Sequence, residues 1–122
     1  MAPQLIFEFR QKQHILNCLS EARTHSIGLS AVPTDELISA LDKTRLVMEA
    51  PVTHTRQLPL VIAAARRHVT NAERQTVAWI VGPDSISRQE MAHLVRVRLI
   101  CAELLNLLSD ALTGLKRSGG YA

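Results

Sequence analysis

A chain of 122 residues makes one ordinary domain, able to bury roughly two thirds of its unfolded surface. Hydrophobic residues form 47% of it but aromatics only 3%, which argues against a sandwich and against stacking on single-stranded bases, and for packed helices of Leu, Val, Ile and Ala. The net charge of +3 is unevenly placed: residues 1–54 carry five basic and six acidic groups (−1), and residues 55–122 carry nine and five (+4). A +4 second half favours an anionic partner, yet a charge this modest is also ordinary for a solvated helical surface.

The opening stretch, MAPQLIFEFRQKQ, lacks a basic segment followed by seven or more apolar residues, so no secretion signal is expected. The longest apolar run, LPLVIAAA, falls well short of the roughly 18 residues a membrane helix needs. A soluble, cytoplasmic protein without membrane contact is the expectation. Cys18 and Cys101 lack CxxC spacing, and buried, reduced thiols are expected rather than a disulfide or a metal clip.

Helix one is expected over residues 4–26, where Leu5, Phe9, Leu16, Leu19 and Ala22 fall near helical spacing. LIFEF also alternates, so an extended arm over residues 4–10 stays open as an alternative. Gly28 ends that helix. Thr34 suits an N-cap, and Asp35 and Glu36 suit the positive end of the next helix, which runs to about Ala50 before Pro51 with Leu37, Ile38, Leu41 and Met48 inward. PVTHTRQ is the expected hinge.

Helix three begins near Leu58, takes Pro59 in its first turn, and carries Leu58, Ile62, Ala65, Val69, Ala72, Thr76 and Ile80 at spacings of three and four. Gly82 and Pro83 end it, and Asp84 or Ser85 is the expected cap for helix four, from about Ile86 to Leu115. Helix four shows one narrow polar stripe through Arg88, Arg96, Glu103, Asn106, Asp110, Thr113 and Arg117, against a seven-residue rhythm of Leu94, Val97, Cys101, Leu104, Leu108, Ala111 and Leu115. So much apolar surface implies a helix that is either central to a bundle or shared between subunits.

Thr70, Glu73 and Trp79, followed by Glu90, Met91, Ala92, Leu94 and Val95, resemble the front half of the DNA-binding domain of LuxR-type transcription regulators. ISRQEMAHLV is also similar to the first helix of that motif in cyclic-AMP receptor regulators. The resemblance covers about a fifth of the chain and implies a helix-turn-helix over residues 69–98, with Arg88, Arg96 and Arg98 on phosphates. Two extra residues separate the matched helices, however, and Arg96 stands where the turn glycine belongs. A recognition helix starts at a fresh turn, and nothing breaks RVRLICAELL, so the family's base-reading positions do not carry over. A helical hairpin through Gly82, Pro83 and Asp84 is the favoured reading.

Five histidines invite a metal reading, and Glu90 and His93 have the i, i+3 spacing of di-iron bundles, but a second Glu-x-x-His is absent. His25 reads as a helix C-terminal residue, and His14, His54 and His68 show no acidic or nucleophilic partner at local spacing. With no P-loop, no GxSxG and no defensible Cys-His arrangement, neither catalysis, cofactor nor metal is expected.

The expected fold is thus all-α, a small four-helix bundle or helical-hairpin domain over residues 1–115 with a flexible tail at 116–122. It is expected to be a homodimer through Leu94, Val97, Cys101, Leu104 and Leu108. The expected function is a non-enzymatic regulator that binds another protein through Arg67, Arg74, Arg96 and Arg98. Its class would be an anti-activator or anti-repressor of a transcription factor, LuxR-type quorum-sensing regulators included, or a helical chaperone. The alternative is a helix-turn-helix regulator that binds DNA.

Overall fold

The computed structural model describes residues 11–30, 32–49, 57–82 and 86–117. Four helices account for them: α1 (Lys12–Ile27), α2 (Asp35–Glu49), α3 (Gln57–Val81) and α4 (Arg88–Arg117). The choice between helix and arm at residues 4–10 lies outside the described residues, as do most of the hinge at 51–57, His54, the capping roles of Asp84 and Ser85, and residues 118–122 of the tail. Its first two residues, 116 and 117, continue α4.

Each helix buries a stripe at heptad-like spacing, which is what lets four of them close around one core. On α1 the stripe is Ile15, Leu19, Ala22 and Ser26, and on α2 it is Leu37, Ala40, Leu41, Thr44 and Met48. On α3 it is Leu58, Ile62, Ala65, Val69, Ala72 and Thr76. Leu94, Val97, Cys101, Leu104, Leu108 and Ala111 supply the α4 share. The buried hydroxyls cost little because each bonds its own helix: Ser26 to the Ala22 carbonyl at 2.8 Å, Thr44 to Ala40 at 2.8 Å and Thr76 to Glu73 at 2.7 Å.

The packing runs as a ring, α1 against α2, α2 against α3, α3 against α4, and α4 back against α1. Cross-helix contacts set the directions. Arg23 meets Asp42 and Ser20 meets Arg45, so α1 and α2 are antiparallel. His14 meets Glu103, Glu21 meets Arg96 and His25 meets His93, so α1 and α4 are antiparallel too. The expected hairpin is present, with α3 and α4 packed against each other across a short connection. Gly82 is required at its start, since a Cβ there would stand 2.8 Å from the Ala78 carbonyl oxygen.

Gly28 ends α1 as expected, and the described cap of α4 is Ser87. Gly28 follows α1 with an ordinary right-handed φ of −72°, so the helix ends there without the left-handed turn that favours glycine. Ser87 begins α4: its Oγ accepts from the Glu90 amide at 3.2 Å and its carbonyl from Met91 at 2.8 Å.

This packing uses the α4 stripe expected at a dimer interface as the core of one chain. Leu94, Val97, Cys101, Leu104 and Leu108 are all fully buried within a single chain, because the α1 and α3 stripes cover them. The apolar residues flanking the stripe, Leu105, Leu107 and Leu112, pack at the edges of the same core. Among the described side chains of α4, Val95 and Leu99 are the large exposed apolar ones, and neither belongs to the seven-residue rhythm.

Candidate functional site

The ring arrangement places two polar regions on opposite seams, one between α2 and α3 and one between α4 and α1. The four arginines expected to bind a partner divide between two helices rather than converging. Arg67 and Arg74 lie on α3, whereas Arg96 and Arg98 lie on α4.

On α3, the heptad that buries Ile62, Ala65, Val69 and Ala72 turns the intervening residues outward. Leu60, Ala63, Arg66, Arg67, Thr70, Asn71 and Arg74 line one shallow groove of about 660 Å³. None of its three arginines makes an ion pair with another described residue. Leu60 is 72% exposed at the end of this groove, which is a high exposure for a leucine on a packed helix. Sequence reasoning named Arg67 and Arg74 but missed Arg66 and Leu60. The available signal was spacing, since Leu60, Arg67 and Arg74 recur every seven residues opposite the buried stripe.

A second groove follows the α2/α3 seam beside it, sharing Asn71 and Arg74 and adding Asp35, Glu36, Lys43, His68 and Gln75. The Gln75 side-chain oxygen is buried with no hydrogen-bond donor among the described residues, so a donor brought by a partner would satisfy an acceptor that the fold leaves open. Trp79, which carried part of the LuxR-type resemblance, lies farther along the same seam with Pro33 and Ala78.

His68 registers the local field. Partial burial, then the charges of Lys43 and Arg67, push its pKa below 6.5. The folded state therefore binds a proton at His68 less readily than the unfolded chain. This costs nothing well above pH 6.5, grows as pH falls through the unfolded value, and levels off below the folded one. His68→Gln is expected to raise the melting temperature relative to the natural chain at pH 5 but not at pH 8. Equal differences at the two pH values would mean that burial and the neighbouring charges do not lower the His68 pKa.

The α4/α1 seam is a ladder of paired groups. Glu90 accepts hydrogen bonds from the backbone amide and, at 3.1 Å, the hydroxyl of Ser30. His25 and His93 face each other with their Nδ1 atoms 2.9 Å apart, so one ring donates and the other accepts. Arg96 reaches both carboxylate oxygens of Glu21, at 2.6 and 3.1 Å, and that hydrogen bond and charge hold its guanidinium above the ordinary arginine range. Arg96 is thus engaged within the chain. Arg98 extends into solvent beside the exposed Val95 and Leu99, without an ion pair to a described residue.

The cysteines are both free, but only Cys101 is fully buried; Cys18 is half-buried. Burial and then the charge of Glu73 push the Cys101 thiol up to about 12, and a thiol so rarely ionised is a poor nucleophile.

The segments that resemble a helix-turn-helix are held in long helices of 25 and 30 residues. Leu94 is in the core and Glu90 is bonded to Ser30, and α4 continues through the position where a recognition helix would start. No helix among the described residues is long and apolar enough to cross a membrane. Comparison with protein-family models, with curated proteins and with solved structures finds no match.

Proposed function

We propose that this chain is a non-enzymatic regulatory protein that holds an acidic, amphipathic segment of another protein along the outer face of α3. The observation that carries this reading is the row of arginines, Arg66, Arg67 and Arg74, without an ion pair to another described residue, beside the exposed Leu60 and Ala63. An apolar anchor rimmed by guanidinium groups is the composition of a protein-binding hot spot, and an amphipathic helix laid in such a groove would present carboxylates to the arginines. The adjoining groove carries Asp35 and Glu36 as well as Lys43 and Arg74. Mixed charge of this kind repels a continuous phosphate backbone while suiting a polypeptide that bears both signs. Transcription factors fall within the partner class, and an anti-activator or anti-repressor role would follow from covering such a segment.

Retention of a protein by the natural chain, lost with the combined Arg66→Glu, Arg67→Glu and Arg74→Glu variant, supports this function. Equal retention by both, or tight duplex DNA binding with no protein retained, would refute it.

The binding unit is the single chain, because its core closes without a second copy. Sedimentation equilibrium at micromolar concentration is expected to give a mass near 13.5 kDa. Twice that mass would establish a homodimer through a surface other than the buried α4 stripe.

A further inference from the structure

We propose that His14, Cys18 and Glu103 form a three-ligand site for a divalent transition-metal ion of the zinc class, bridging α1 and α4. His14 and Cys18 are one helical turn apart on α1 and so share a face. Glu103 comes from α4, 89 residues away from His14 in sequence. The imidazole, thiol and carboxylate ligand atoms all lie within 4.8 Å of one another. His14 Nε2 stands 3.3 Å from Glu103 Oε1. That separation matches a tetrahedral edge of about 3.4 Å, which follows from metal–nitrogen and metal–oxygen bonds of about 2.1 Å. Sulfur needs an edge of about 3.6 Å with a bond of about 2.3 Å, so closure asks for movement of about an ångström. The His14 and Glu103 side chains are 52% and 54% exposed and have room to make it.

The electrostatics favour a cation at this point. Burial first, and then the charges of Glu103 and Glu21, raise the Cys18 pKa, with Arg96 acting the other way. The negative potential that opposes a bare thiolate attracts a dication. Arg96 already holds Glu21, which leaves Glu103 as the carboxylate to ligate. Binding would break the Cys18 S–H bond, release its proton to solvent and form a sulfur–metal bond. Thiolate, carboxylate and neutral imidazole would then balance the two positive charges. One nitrogen, one sulfur and one oxygen donor suit zinc-like ions rather than magnesium or calcium, which take oxygen shells. Three protein ligands leave a fourth position for water. The bound ion would fasten the first turns of α1 to the middle of α4.

The test is titration of the full chain with Co(II), a spectroscopic substitute for zinc. The expected result is saturation at one equivalent, with intense visible bands of a tetrahedral ion and a near-ultraviolet thiolate-to-cobalt band, both bleached by Zn(II). Cys18→Ser should abolish the thiolate band and Cys101→Ser should retain it. Glu103→Gln should weaken binding at least about tenfold, since even outer partners of metal ligands are worth that much. Circular dichroism of each variant confirms that it is folded. As an independent readout, Zn(II) should raise the melting temperature of the natural chain and not that of Cys18→Ser. Absence of the thiolate band at one equivalent, or its persistence in Cys18→Ser, would overturn the proposal and leave an exposed His–Glu hydrogen bond beside a half-buried thiol.

Discussion

Leu104→Glu is expected to unfold the chain, whereas Leu99→Glu, five residues earlier on the same helix, is expected to leave it folded. Leu104 is fully buried and Leu99 is 50% exposed. Truncating a buried leucine costs about 2–5 kcal/mol through lost transfer energy and the cavity left behind. Glu adds the desolvation of a carboxylate without a partner, of order several kcal/mol. Together these approach or exceed the roughly 5–15 kcal/mol that holds a domain of this size folded. Leu108→Glu should behave like Leu104→Glu. Thermal melts followed by circular dichroism decide the matter: loss of the cooperative transition for the two core variants and its retention for Leu99→Glu is the expected pattern. If Leu104→Glu instead stays folded and only halves the mass in sedimentation, the α4 stripe is an interface between copies.

The second large effect concerns binding. Reversing Arg66, Arg67 and Arg74 together is expected to weaken partner affinity by at least about a hundredfold, or about 2.8 kcal/mol at 1.4 kcal/mol per decade. Each reversal replaces an attraction with a repulsion of an acidic segment, and the effect should shrink as salt is raised. Stability should hardly change, because these side chains make no ion pair with other described residues and Arg66, Arg67 and Arg74 are exposed. Titration calorimetry of the natural and reversed chains with the captured partner measures the difference directly. A change below about threefold, with melting temperature intact, would remove α3 from the binding surface.

The elements were legible in the sequence because the apolar spacing was unambiguous. Of the seven α3 positions expected to face inward, Leu58, Ile62, Ala65, Val69, Ala72 and Thr76 are buried, and Ile80 packs at the edge of the core. On α4 the seven-residue rhythm from Leu94 to Ala111 is the buried stripe. Periodicity reports that a stripe is covered but not by which helix, and this is why the same five residues, Leu94, Val97, Cys101, Leu104 and Leu108, read equally well as core or as dimer interface. The answer depended on the reach of α1 and α3, which no local pattern contains.

The same limit separates the site residues. His14 and Cys18 stand one helical turn apart, a local pair that sequence reasoning passed over, and Glu103 joins them only through the antiparallel pairing of α1 and α4. Arg96 stood out in sequence as a basic residue in a polar stripe, but its carboxylate partner, Glu21, is 75 residues away. Arg67 and Arg74 were visible because their heptad spacing places them on one exposed face without help from another element.

The most direct measurement of the proposed role is site-specific photo-crosslinking in living cells, with the reactive side chain placed at Ala63 or Thr70 in the α3 groove, and at Asn106 on the exposed side of α4 as the control. The expected result is a discrete crosslinked protein from positions 63 and 70, absent from position 106 and lost when Arg66, Arg67 and Arg74 are reversed to Glu. Crosslinks of equal strength from position 106, insensitive to the reversal, or crosslinks to nucleic acid alone, would contradict binding of an acidic protein segment by α3.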